Sequence, residues 1–183
     1  MAARHDWYHS IFFGIYPPEE QAFQAHRLSL DMARRENLSG PMMPARRLHL
    51  TLLGLGGYPS FPRDQVEFAI ELASQLRRPA FRIAFNQVVS WNGRMRPLVL
   101  SGDEGLIGAQ LLSEGLRDVF GLAGVSLGGP GWINPHMTLL RDRLDLERRY
   151  VPPLTWTVDE FVLIDSLHGL GRHEVLGRWR LFA

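Results

Sequence analysis

The chain of 183 residues contains no cysteine and no lysine; all 20 of its Lys+Arg positions are arginine. Without cysteine there is no disulfide, no thiolate nucleophile and no Cys-ligated zinc. Without lysine there is no Walker-type ammonium to hold a triphosphate and no amine to carry a covalent nucleotidyl or Schiff-base intermediate. The chain also lacks a long apolar run. The stretch "SIFFGIYPP" falls far short of the ~20 residues a membrane helix needs, and the polar start "MAARHDWYHS" has no signal-peptide core. A cytoplasmic location with no membrane partner is the expectation. Net charge is only +1, so any nucleic-acid contact must come from a local basic patch. Chemistry is left to His, carboxylates, hydroxyls and Arg.

What the chain does have is a hydrophobic content of 45% and a charged content of 21%, ordinary for a globular fold. Its length favours one two-lobed domain over residues 1–183. The aromatic and β-branched run 7–16 reads as a strand ending at Pro17-Pro18. Residues 17–37 read as a helix, with Glu in the first turn and Asn37 beyond its end. Further helices are expected over 62–78 and 105–120. Strands are expected over 46–57, 135–140, 155–166 and 172–182, with a hairpin of 80–91 and 96–101 turning at Asn92-Gly93. So few crossover helices exclude a doubly wound parallel sheet. The pattern predicts α+β, with two antiparallel sheets and helices on their outer faces.

One pattern occurs twice. His49-Leu50-Thr51-Leu52 is echoed 87 residues later by His136-Met137-Thr138-Leu139. With seven His and four Thr in the chain, random placement gives about 0.15 His-x-Thr pairs. Both copies lie in expected strands. Period two then sets each imidazole and its hydroxyl on one face, with Leu50 and Met137 pointing to a core. Two His leave a catalytic zinc short of its usual three protein ligands, and no carboxylate sits at matching positions. A Ser-His-Asp triad needs one base, not two equivalent halves. Paired acid–base chemistry at one phosphorus atom fits better. Imidazole titrates near neutrality, so one ring can take a proton from water while the other gives one to the leaving oxygen. The hydroxyls of Thr51 and Thr138 then donate to non-bridging phosphoryl oxygens. No metal and no cofactor is called for.

These motifs resemble those of the two-histidine phosphoesterases, in particular the RNA 2′,3′-cyclic phosphodiesterases historically called 2′-5′ RNA ligases. The resemblance runs over nearly the whole chain. It rests on "LHLTLLGLG", on "WINPHMTLLR" with Pro135 before the histidine and Arg141 five residues after it, and on the tail "FVLIDSLHGLGRHEVLGRWRLF". The first motif departs from the family, which often has Phe-Leu-Gly where this chain has Leu53-Gly54-Leu55-Gly56. The resemblance implies a bilobal fold with a central cleft, one motif per lobe. It implies hydrolysis of a 2′,3′-cyclic phosphate to a 2′-phosphate by a monomer acting on an RNA end or a cyclic nucleotide. His49 would be the acid that protonates O3′ and His136 the base that activates water. Thr51, Thr138 and Arg141 would hold the phosphate.

Arg141 conflicts with simple alternation. An odd offset from His136 turns it to the other face unless the strand bulges or ends near Leu140. Trp91 and Trp132 are candidates to stack on a base, Trp132 more so because it abuts the second motif. His9 and His173 would neighbour the site if their strands border it. Arg46, Arg47, Arg94 and Arg96 are candidates for a basic rim. A small-molecule cyclic phosphodiesterase and a non-catalytic RNA or nucleotide binder are the competing readings.

Overall fold

The computed structural model describes residues 8–92, 96–128 and 133–182. Its strands are β1 (His9–Ile15), β2 (Leu50–Tyr58), β3 (Phe81–Ser90), β4 (Pro97–Ser101), β5 (Met137–Arg141), β6 (Arg149–Val158), β7 (Glu160–Leu167) and β8 (Arg172–Arg180). The helices are α1 (Glu19–Arg35), α2 (Arg63–Ala73) and α3 (Ile107–Leu122). Short 3-10 turns precede β2, at Ala45–Arg47, and α3, at Glu104–Leu106. Among the described residues no helix is long and apolar enough to cross a membrane.

The α+β class with antiparallel strands is as expected. The two sheets, expected as separate, are joined into one of order β6-β3-β4-β5-β2-β1-β7-β8. Between β5 and β2 the join is a single pairing, Leu50 opposite Met137, and a lone bridge between Pro79 and Phe182 ties the halves elsewhere. Leu50 and Met137 are the residues between His and Thr in the two motifs, so the motifs lie side by side at the seam between two four-stranded halves.

Each helix forms for local reasons and buries one stripe. In α1, Glu19 and Glu20 sit at the positive end of the helix dipole and Arg34 and Arg35 at the negative end. Ala22, Ala25, Ser29, Met32 and Ala33 face inward. Asn37 then takes a left-handed conformation (φ 53) and the Leu38 N–H donates to the Ala33 carbonyl, which stops the helix. The three helices pack on the face of the sheet that carries Leu50, Leu52 and Met137, all fully buried, and build the main core.

Two strands differ from the sequence expectation. The run 155–166 is not one strand but the end of β6 and most of β7, which a single residue, Asp159, separates. β6 begins earlier, at Arg149, because it is an edge strand. Pro152 and Pro153 fall in an irregularity between the pairs Phe85–Leu154 and Gln87–Tyr150, where missing N–H donors cost no ladder bond.

Candidate active site

The residue order His-x-Thr-Leu-Leu does the positioning in both halves. In β2 the pairs Gly14–Thr51 and Phe13–Leu53 leave Leu52 as an extra residue. In β5 the pairs Val99–Thr138 and Leu98–Leu140 leave Leu139 as the extra residue. Both strands carry a β-bulge at the same motif position, and each bulge turns two consecutive leucines into the core. Alternation is reset beyond the bulge. Arg141 therefore returns to the exposed, histidine-bearing face; of the two alternatives, a bulge or a strand that ends near Leu140, the structure has the bulge. Its counterpart in β2 is Gly54, opposite Phe12 as Arg141 is opposite Pro97.

Antiparallel register fixes the distances. Extending the Leu50–Met137 pairing by one residue sets His49 opposite Thr138 and His136 opposite Thr51. The two histidines are then diagonal neighbours, whose spacing is roughly 7–8 Å between backbones. That span suits two imidazoles on either side of one phosphate. Each imidazole is held the same way. His49 Nδ1 lies 2.7 Å from the Arg47 carbonyl and His136 Nδ1 2.9 Å from that of Asn134. A carbonyl oxygen only accepts, so both Nδ1 atoms carry the proton and both Nε2 atoms are left for chemistry.

Aromatic rings wall the two histidines. The His49 ring centroid is 5.0 Å from Phe12 and 5.0 Å from His173. That of His136 is 4.0 Å from Trp91. Burial pushes the His49 pKa down to about 4, helped by the charges of Arg47, His136 and Arg141 and opposed by the bond to the Arg47 carbonyl. Burial also pushes His136 below its ordinary value, against the pull of its Asn134 bond. His173 falls to about 3 through burial and the nearby His49 and Arg47. Its Nδ1 lies 2.9 Å from the Tyr16 hydroxyl, whose pKa burial raises to about 12. All three imidazoles are neutral at pH 7.

Arg141 is set by the chain around it. Asp142 lies beside it and accepts backbone N–H groups from Ser39, Gly40, Arg143 and Leu144. Burial alone would raise that carboxyl, yet the four donors hold it below its usual range. Gly40 packs so tightly on the Arg141 carbonyl that a Cβ there would overlap it. The segment 39–43 thus clamps the outer end of β5, with the Met43 N–H on the Leu139 carbonyl at 2.8 Å.

The structure brings His49, Thr51, His136, Thr138 and Arg141 to one face, with His173 and Trp91 beside them. His9 is elsewhere: it lies on the helix-bearing face, its Nδ1 2.6 Å from Asp165. Arg96 is paired with Asp145 at 2.5 Å. Trp132, Arg94, His5 and the glycine-rich stretch 129–131 lie outside the described residues. Among the described residues no three His, Asp or Glu side chains cluster as a metal site requires. Sequence reasoning missed Phe12 and Tyr16. The signal was present in "IFFGIY", a strand apolar on both faces and hence covered on both.

Comparison with known proteins bears on the family and the fold. The sequence model of the 2′-5′ RNA ligase superfamily matches residues 17–170. No curated protein matches significantly. A crystal structure of a phosphoesterase is similar at 28% identity with a TM-score of 0.74, covering 95% of this chain and 99% of that one. E. coli LigT in complex with ATP has the same identity and TM-score, with 96% and 99% covered. LigT has also been crystallised with NADP+ and with 3′-AMP. A Thermus thermophilus protein, TT0787, is similar at 26% identity and a TM-score of 0.67, with 94% and 97% covered.

Proposed function

The chain belongs to the 2′-5′ RNA ligase superfamily of two-histidine phosphoesterases, and from that premise we propose that it hydrolyses 2′,3′-cyclic phosphate RNA ends to 2′-phosphate ends without a metal. The observation that carries this reading is the Leu50–Met137 pairing. With it go two imidazoles whose Nδ1 atoms are both tied to the carbonyl two residues back. LigT complexes with ATP, NADP+ and 3′-AMP, all phosphate-bearing nucleotides, support a nucleotide-like ligand.

In the proposed step the cyclic phosphate lies between the rings. Thr51 and Thr138 donate to its non-bridging oxygens, and Arg141 offsets the charge that builds there. His136 Nε2 takes a proton from water as the water oxygen bonds to phosphorus. The P–O3′ bond breaks, and protonated His49 delivers its Nε2 proton to O3′. A 2′-phosphomonoester and a free 3′-hydroxyl result. His49 is neutral in the empty site, so the bound diester anion must draw the proton onto it. A 5′-hydroxyl in place of water would give a 2′-5′ linkage by the same step.

The test is turnover in EDTA of a 2′,3′-cyclic mononucleotide and of a cyclic-phosphate-ended RNA oligomer. His49→Ala and His136→Ala are each expected to lower kcat by at least ~10²-fold with circular dichroism unchanged. Turnover of the mononucleotide alone would favour a small-molecule phosphodiesterase. Turnover of neither would leave a binding module.

A further inference from the structure

Beyond His49, on the side away from His136, lies a cavity of about 270 Å³ lined by Tyr16, Arg46, Arg47, Arg172, His173 and Val175. It holds several times the ~30 Å³ share of one water. It is continuous with the site through two residues. The His173 ring touches His49, and the Arg47 carbonyl fixes the His49 Nδ1. Its lining has three guanidinium groups and no carboxylate. Arg172 is paired with Glu174 at 2.5 Å on the rim. Arg47 has no such relief among the described residues. Its buried Nε lacks a hydrogen-bond partner, and the charges acting on it include two other cations, Arg141 and Arg46. A cluster of like charges with an unpartnered buried donor is a site built for an anion.

We propose that this cavity is a second phosphate subsite, which receives the 5′-linked phosphate of the ribose whose cyclic phosphate reacts between His49 and His136. The inference rests on the reading above. There, His49 protonates O3′, so the ribose lies on the His49 side and whatever that ribose carries continues past His49 into the arginine pocket. The subsite selects substrates with a second phosphate one sugar away from the reacting one. An RNA 3′ end has it, and so does an ADP-ribose cyclic phosphate; a nucleoside cyclic monophosphate does not.

Two product analogues test the subsite without turnover: adenosine 2′-monophosphate and adenosine 2′,5′-bisphosphate, each titrated by calorimetry. The bisphosphate is expected to bind at least ~10-fold more tightly, the scale of one charge-assisted contact, with the advantage shrinking as salt rises. The double variant Arg46→Gln/Arg172→Gln alters two exposed rim residues and should keep its affinity for the monophosphate while losing that advantage. Equal affinities in the wild type would overturn the subsite and leave the proposed reaction standing. No binding of the monophosphate, together with no turnover of any cyclic phosphate, would strike the reaction itself. KM values for a cyclic-phosphate-ended dinucleotide and for ADP-ribose cyclic phosphate then say which source of the second phosphate the pocket prefers.

Discussion

Ser113 of α3 donates its hydroxyl to the Leu52 carbonyl at 2.6 Å. Ser29 of α1 does the same for Leu139 at 3.4 Å. These carbonyls belong to the two bulge residues, and both serines are 1% exposed. A bulge leaves a residue outside the regular ladder, and a buried carbonyl without a partner is costly. Each helix gives its bulge carbonyl a side-chain donor, one on each side of the seam, and the Leu139 carbonyl accepts the Met43 N–H as well.

Ser113→Ala removes this donor from the Leu52 carbonyl in the core. We expect a loss of about 1–3 kcal/mol in urea unfolding, with kcat lowered because the bulge sets Thr51 and the turn to Gly54. An unchanged unfolding midpoint would show that the helix donor contributes nothing.

Gly54 and Arg141 occupy matching places but differ in consequence. A Cβ at Gly54 meets nothing within 4 Å, so Gly54→Ala should change stability by less than ~0.5 kcal/mol and keep activity. Arg141→Gln should lower kcat/KM by about 10²-fold through lost stabilisation of the phosphoryl charge. Steady-state kinetics on a cyclic-phosphate substrate compares them directly.

Trp91 covers His136. In Trp91→Ala the imidazole regains water, so its pKa should rise toward the ordinary value near 6.5. Histidine proton resonances followed across pH read this out. The resonances of His49, on the other side of the seam, should move little.

The pH dependence of rate has a defined sign. The proposed reaction needs one neutral and one protonated imidazole, and both histidines of the empty site are pushed below the ordinary 6.5. The optimum of kcat/KM, which reports the free protein, should therefore fall below neutrality. A bound diester anion favours imidazolium, so the alkaline limb of kcat should lie at higher pH than that of kcat/KM. Coincident limbs would mean that the phosphate does not act on the pair.

The same shifts govern acid stability. His49 and His173 bind protons less readily folded than unfolded. Their contribution is whole above about pH 6.5 and is lost as pH falls toward 4 and then 3. Urea midpoints should fall across that window, and fall less in His173→Phe.

The pair of motifs and their shared face were legible because strand alternation is a property of the backbone alone. So were α1 and its end at Asn37, whose cues are local. Alternation failed at Arg141, and the reason was written twice in the chain: Leu52-Leu53 and Leu139-Leu140 are doubled apolar residues where period two allows one. The join through Leu50 and Met137 was not legible, since pairing between distant strands leaves no local trace. The start of β6 was hidden by Pro152-Pro153, residues that argue against a strand until its edge position is known. Trp91 was the weaker stacking candidate in the sequence, and the end of β3 brings it onto His136.

Asp159 has a mechanical consequence. It alone links β6, the outer strand of one half, to β7 in the other. Two peptide steps span at most ~7 Å, so Val158 and Glu160 form a tether without slack. The halves cannot part there, where the Leu181 N–H on the Asp159 carbonyl and the Pro79–Phe182 bridge add to the tether. A cut in the backbone at Asp159 would free β6 in one half and β7 in the other at once.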